Sequence, residues 1–160
     1  MTLYLVRHAD AGPRDPYSSA DHLRWLSEDG LQQAARIADR LGDAGVTRVL
    51  SSPYPRCVQT VEPLARRLGV EVETDTVLAE GADGRRTLAL MMALAGTEAV
   101  LCSHGDVIPD VLGLLETAGT AINGTRGNAK GSIWTINSDG EALVSAAYTK
   151  IPRKPDADPR

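Results

Sequence analysis

Three short strand-like runs, two of them wholly apolar and each broken off by cationic or polar residues, constrain this chain more than any other feature. Leu3-Tyr4-Leu5-Val6 runs into Arg7-His8, Val49-Leu50-Ser51-Ser52 leads to Arg56, and Ala99-Val100-Leu101-Cys102 ends at Ser103-His104-Gly105. A four-residue run without polar alternation fits a strand buried on both faces, which occurs mainly in parallel sheets covered by helices. Amphipathic stripes of helical period separate the runs, so strands and helices alternate. That order specifies an α/β fold with three α/β/α layers and a mostly parallel sheet.

Local signals place the elements. A first strand is expected at about 2–6 and a loop rich in Asp, Gly, Pro and Ser over 9–26. Ser27 is a good N-cap, with Glu28 and Asp29 in the first turn of a helix reaching about Leu41. A second strand follows at about 46–51, then a helix from Pro55 to about 68. Pro63 lies inside that helix and predicts a kink or two short helices. Val70–Thr74 alternates like a strand. A loop carrying Glu80 and Gly81 precedes a helix marked by Leu88, Met91, Met92 and Ala95. The strand at 99–102 leads to a helix over about 107–118, in whose first turn Pro109 is tolerable. Residues 119–131 read as a long loop. Residues 132–150, turning at Ser138-Asp139-Gly140, read as a hairpin that adds antiparallel strands at a sheet edge. One domain over 1–151 is expected, and 152–160, with three prolines, reads as a disordered tail.

Composition narrows the function. A net charge of −4 argues against a nucleic-acid polymer as partner. The apolar run at the N-terminus is too short for a signal peptide or a membrane span, so a cytoplasmic location is the default. Three histidines and two cysteines are scattered without ligand spacing, so no metal and no cofactor is expected. Cys57 and Cys102 read as small buried hydrophobes.

In an open α/β sheet, ligands bind beyond the carboxyl ends of the strands. Arg7, His8, Arg56 and His104 all fall at such ends or just past them, and Glu80 lies in the loop after the strand at Val70–Thr74. Two arginines and two histidines on one rim make a cationic pocket in an acidic protein, which points to phosphate. Arg56 also breaks a local rule. A cation in a helix's first turn opposes the dipole by roughly 0.3–1 kcal/mol, and a bound anion reverses that sign.

Taken together, Arg7-His8-Ala9, then Ser51-Ser52-Pro53 with Arg56 and Gln59-Thr60, then Ser103-His104-Gly105, resemble the histidine phosphatase superfamily, the group that includes phosphoglycerate mutases. The resemblance extends over about 1–150, and its compact spacing is similar to SixA-type phosphohistidine phosphatases and to the phosphatase half of actinobacterial Nudix–phosphatase fusions. It implies a metal-independent reaction. His8 attacks phosphorus, a phosphohistidine forms, and water hydrolyses it, while Arg7, Arg56 and His104 hold the phosphoryl oxygens. It also implies that Glu80 moves the proton, with Asp10 and Asp106 as rivals. The substrate is then a phosphohistidine protein or a small phosphorylated metabolite or nucleotide.

Ala9 stands where the family has glycine, and Trp25, where relatives often carry proline, is expected to pack against the entrance. His22 reads as a surface residue, and Arg14 as a surface residue that could reach substrate from the first loop. A phosphomutase and a non-catalytic phospho-ligand binding module are the alternatives. A serine hydrolase lacks its Gly-x-Ser-x-Gly elbow. Oligomeric state is open.

Overall fold

A computed structural model describes residues 1–152. The expected disordered tail therefore lies, Pro152 apart, outside the described residues. The elements are β1 (Thr2–Arg7), α1 (Glu28–Leu41), β2 (Arg48–Ser51), α2 (Pro55–Leu68), β3 (Val72–Thr74), α3 (Gly84–Ala93), β4 (Ala99–Ser103), α4 (Val107–Thr117), β5 (Ala121–Asn123), β6 (Ile133–Ser138) and β7 (Leu143–Thr149), with short 3-10 turns at Asp21–Leu23 and Thr76–Leu78. One seven-stranded sheet has the order β3-β2-β4-β1-β6-β7-β5. β1, β2, β3 and β4 pair in parallel, and β6 runs against both its neighbours. No helix among the described residues is long and apolar enough to cross a membrane.

The period of two along the strands sorts their side chains onto two faces. Leu50, Leu101, Leu5 and Trp134 stand side by side across four strands. They belong to a core closed by Met91 and Leu94 from the α3 side and by Ile108, Val111 and Leu115 of α4. The alternate residues, Val49, Val100, Val6 and Ile133, face a second core closed by Ile37 and Leu41 of α1 and by Val61 and Leu64 of α2. Both faces are therefore covered, as the unbroken apolar runs require.

Four expectations need correction. Pro63 neither splits nor ends α2, which runs unbroken over 14 residues. Proline lacks one donor, so a single intrahelical bond is lost, while Val61, Leu64 and Ala65 around it are buried in the second core. The stretch 119–131 is not all loop: Ala121–Asn123 pairs in parallel with β7 and forms the outermost strand. The hairpin consequently lies between β1 and β5, not at the edge. Trp25, expected to pack against the entrance, is instead largely open to solvent, at 63% exposure.

Candidate active site

Arg7 and Ser103 are register partners at the carboxyl ends of the adjacent central strands β1 and β4. The chain leaving each strand supplies a histidine. His8 donates its backbone N–H to the Ser103 carbonyl at 3.0 Å, and the His8 and His104 rings lie 5.4 Å apart edge to face. Both are buried. The sequence-expected cluster of Arg7, His8, Arg56 and His104 is thus brought together on one rim.

His8 is held in a defined tautomer. Its Nδ1 lies 2.8 Å from the Ala9 carbonyl oxygen, which can only accept, so Nδ1 carries the proton and Nε2 keeps its lone pair. Burial pushes its pKa from 6.5 down to about 3; the Ala9 carbonyl opposes that shift, and His104, Arg56 and Arg7 add to it. Ala9 takes the glycine position without strain. No non-glycine residue among those described has positive φ, and the Ala9 N–H donates to Thr60 Oγ1 at 2.9 Å.

Arg56 enters from the first turn of α2, whose N-cap Tyr54 offers no side-chain cap. It is the largest fully buried side chain. A buried guanidinium is tolerated only when paired. Nη1 donates to the Asp21 carbonyl at 2.9 Å, Nη2 lies 3.4 Å from Glu80 Oε2 and 3.5 Å from Asp21 Oδ2, and the Tyr54 ring centroid is 5.0 Å away. Arg7 donates from Nη1 to the Asn128 carbonyl at 2.5 Å. Its guanidinium lies against Gly105, where an added Cβ would approach Cζ to 2.6 Å, so a side chain there would push the guanidinium out of its place. Burial lowers the Arg7 pKa, but the group stays a cation.

His104 Nε2 lies 2.8 Å from Ser52 Oγ. Three buried nitrogens, Arg7 Nε, Arg56 Nε and His104 Nδ1, have no hydrogen-bond partner among the described residues. Each such group costs about 1–3 kcal/mol unless an acceptor meets it. A phosphoryl group is an acceptor with several oxygens and matches this donor set.

A cavity of about 290 Å³ opens here, lined by Arg7, His8, Arg14, Glu80, Gly105 and Asp106 among others. Glu80 therefore faces the site. Asp106 also lines the cavity and accepts from the Gly81 N–H at 2.8 Å. Asp10 is directed elsewhere: its Oδ2 takes the Ser27 hydroxyl at 2.5 Å and its Oδ1 lies 3.7 Å from Lys130 Nζ. Arg14, read from sequence as a surface residue, pairs with Glu80 at 2.5 Å. His22 is exposed, as expected. Cys57 belongs to the second core, yet its Sγ also lies 3.4 Å from His104 Nε2.

Sequence reasoning missed Tyr54, Asp21 and Asn128, and quoted Ser52 in a motif without giving it a partner. Ser52 had a signal, since a buried polar residue at a strand end needs a partner. Asn128 sits in a loop whose docking is set by tertiary contacts alone: its Nδ2 donates to the Gly105 carbonyl at 2.8 Å, and Gly131 N–H donates to the carbonyls of Arg7 and His8.

Known proteins resemble this chain in sequence and in fold. The 8-oxo-(d)GTP phosphatase of Mycolicibacterium smegmatis is 34% identical over 157 residues, 94% of this chain and 48% of that protein. A Proteus mirabilis protein named phosphoglycerate mutase GpmB is 32% identical over 85 residues, 50% of this chain and 38% of its own. The chain thus spans about half or less of the length of these relatives. Among solved structures, the protein named phosphohistidine phosphatase SixA of Agrobacterium tumefaciens superposes with a TM-score of 0.68 at 25% identity, covering 85% of this chain and 90% of that one. The profile of the histidine phosphatase superfamily (branch 1) matches residues 3–86, more than half the sequence, and the chain belongs to that superfamily.

Proposed function

We propose that this chain is a metal-independent phosphatase that works through a phosphohistidine on His8. The observation that carries the reading is the state of His8: buried, neutral down to about pH 3, and with its proton pinned on Nδ1 by the Ala9 carbonyl. A neutral ring presenting Nε2 beside two guanidinium groups is a nucleophile for phosphorus at physiological pH. In the first step Nε2 attacks phosphorus and the leaving-group oxygen or nitrogen departs with its electron pair. Arg7, Arg56 and His104 take the phosphoryl oxygens, supplying donors that no protein acceptor occupies, and stabilise the charge of the transition state. Glu80 moves the proton, with Asp106 the other carboxyl of the cavity. Water then hydrolyses the phosphohistidine.

The substrate class is a phosphorylated small molecule or a phosphohistidine protein. The relatives named as phosphatases support hydrolysis over isomerisation. The likeness to a protein named phosphoglycerate mutase covers only half the chain, and the cavity wall around His8 is charged and polar rather than water-excluding.

The test is phosphate release from an aryl phosphate with chelator present, for wild type and His8→Ala. Chelator-resistant release in wild type, reduced to background in the variant, is expected. Release that persists in His8→Ala would refute the covalent route. With a phosphate ester that carries a second hydroxyl, isomerisation without net phosphate release would support the mutase.

A further inference from the structure

Two arginines and two carboxylates close a ring of ion pairs, and two of the four, Arg14 and Glu80, line the cavity at His8. Glu80 Oε1 lies 2.5 Å from Arg14 Nη2, and Glu80 Oε2 lies 3.4 Å from Arg56 Nη2. Asp21 Oδ2 lies 3.5 Å from both the Arg14 and the Arg56 Nη2 atoms. The two contacts of Glu80 are unequal. The one to Arg14 is a tight charge-assisted hydrogen bond, and the one to Arg56 is at the limit of bonding. Arg56 is also the group that must turn toward a phosphoryl oxygen, on the reading above, on which this inference rests. A phosphoryl oxygen that draws Arg56 Nη2 as well as the unpartnered Nε displaces the weaker contact to Glu80 and leaves the tighter one to Arg14 intact.

We infer that Arg14 is the positioning residue of the proton-transfer carboxylate, retaining Glu80 over the phosphohistidine when Arg56 is taken by the phosphoryl group. An ion-paired carboxylate is a proton acceptor, so Arg14 serves the second step. There the water oxygen bonds to phosphorus and its proton passes to a Glu80 carboxylate oxygen. The P–Nε2 bond breaks, and its electron pair returns to Nε2. The products are inorganic phosphate and a neutral His8 still protonated on Nδ1, and Glu80 releases the proton to solvent. Arg14 is half exposed, so it fits this role without being needed for the core.

The experiment uses the whole chain with para-nitrophenyl phosphate, whose leaving group needs no proton. Phosphohistidine is quantified after alkaline quench, alongside turnover, in wild type, Arg14→Ala and Arg14→Lys. Arg14→Ala is expected to lower kcat by up to ~100-fold, the usual effect of misplacing a reacting group by an ångström. The rate constant of the first turnover should stay within a few-fold of wild type, so phosphohistidine accumulates on His8. Arg14→Lys should recover part of kcat. If kcat and the first turnover fall together, if only KM changes, or if no phosphohistidine accumulates, Arg14 does not hold the carboxylate for hydrolysis. If wild type releases no phosphate from the ester, or if release persists in His8→Ala, the phosphatase reading itself fails and takes this inference with it.

Discussion

His8 carries a thermodynamic signature that is independent of turnover. Its folded pKa of about 3 lies below the 6.5 of an unfolded histidine. Above pH 6.5 both states are neutral and the residue costs nothing. Below it the unfolded chain takes up a proton that the folded one refuses, so stability falls as pH drops toward 3. At pH 5 the linkage amounts to about 2 kcal/mol. His8→Asn keeps a donor for the Ala9 carbonyl and cannot titrate. In urea unfolding, wild type should lose about 2 kcal/mol relative to this variant between pH 7.5 and pH 5. Parallel pH dependences would mean that His8 protonates normally in the fold. At this scale the site was largely legible in the sequence. Arg7, His8 and His104 end buried strands, and Arg56 opposes a helix dipole, so each announces itself locally. Arg14 and Asp21 gave no such signal. They sit in a loop of unspecific composition, and only the fold brings them within 3.5 Å of one another.

Among the elements, α1 governs the rim without contributing a site residue. Ser27 caps it, its Oγ accepting from the Gly30 N–H at 3.1 Å and donating to Asp10 Oδ2. The first turn of α1 packs so closely on the chain after His8 that a Cβ on Gly30 would come within 1.9 Å of the Asp10 carbonyl oxygen. That neighbour is backbone and cannot swing aside. Gly30→Ala, which on helix propensity alone would gain about 1 kcal/mol, is therefore expected to destabilise by about 1–3 kcal/mol. It should also impair turnover through the displaced His8–Asp10 segment. Equilibrium unfolding together with kcat/KM checks both, and a stabilised variant would contradict the close approach. The same contrast between local and tertiary signals explains the errors in the predicted elements. The Ser27 cap was readable because the capping group and the helix are neighbours in sequence. β5 was not, because Ala121–Asn123 is a short, largely exposed segment whose strand character comes from pairing with Ser145–Ala147. Two short helices did not form at Pro63 because a helix anchored by its buried face tolerates the loss of one hydrogen bond.

On the scale of the molecule, a chain of net charge −4 concentrates cations at one sheet end. The folded state holds Arg7, Arg56 and His104 together with unmet buried donors, and the unfolded chain does not. An anion that meets those donors therefore binds the folded state preferentially and stabilises it by RT ln(1 + [L]/Kd). Inorganic phosphate, the expected product, should raise the melting temperature. At ten times its Kd the gain is about 1.4 kcal/mol, or roughly 3–5 °C for a domain of this size. Chloride at equal ionic strength should not reproduce the shift, because screening does not satisfy buried N–H groups. Arg7→Ala removes a guanidinium from the rim and should abolish most of the shift while leaving the two cores in place. A phosphate shift of equal size in wild type and Arg7→Ala would place the anion elsewhere on the surface. No shift in wild type would mean that the ion pairs of Arg56 with Asp21 and Glu80 outcompete a free phosphate. The charge arrangement would then favour anions only as part of a larger substrate.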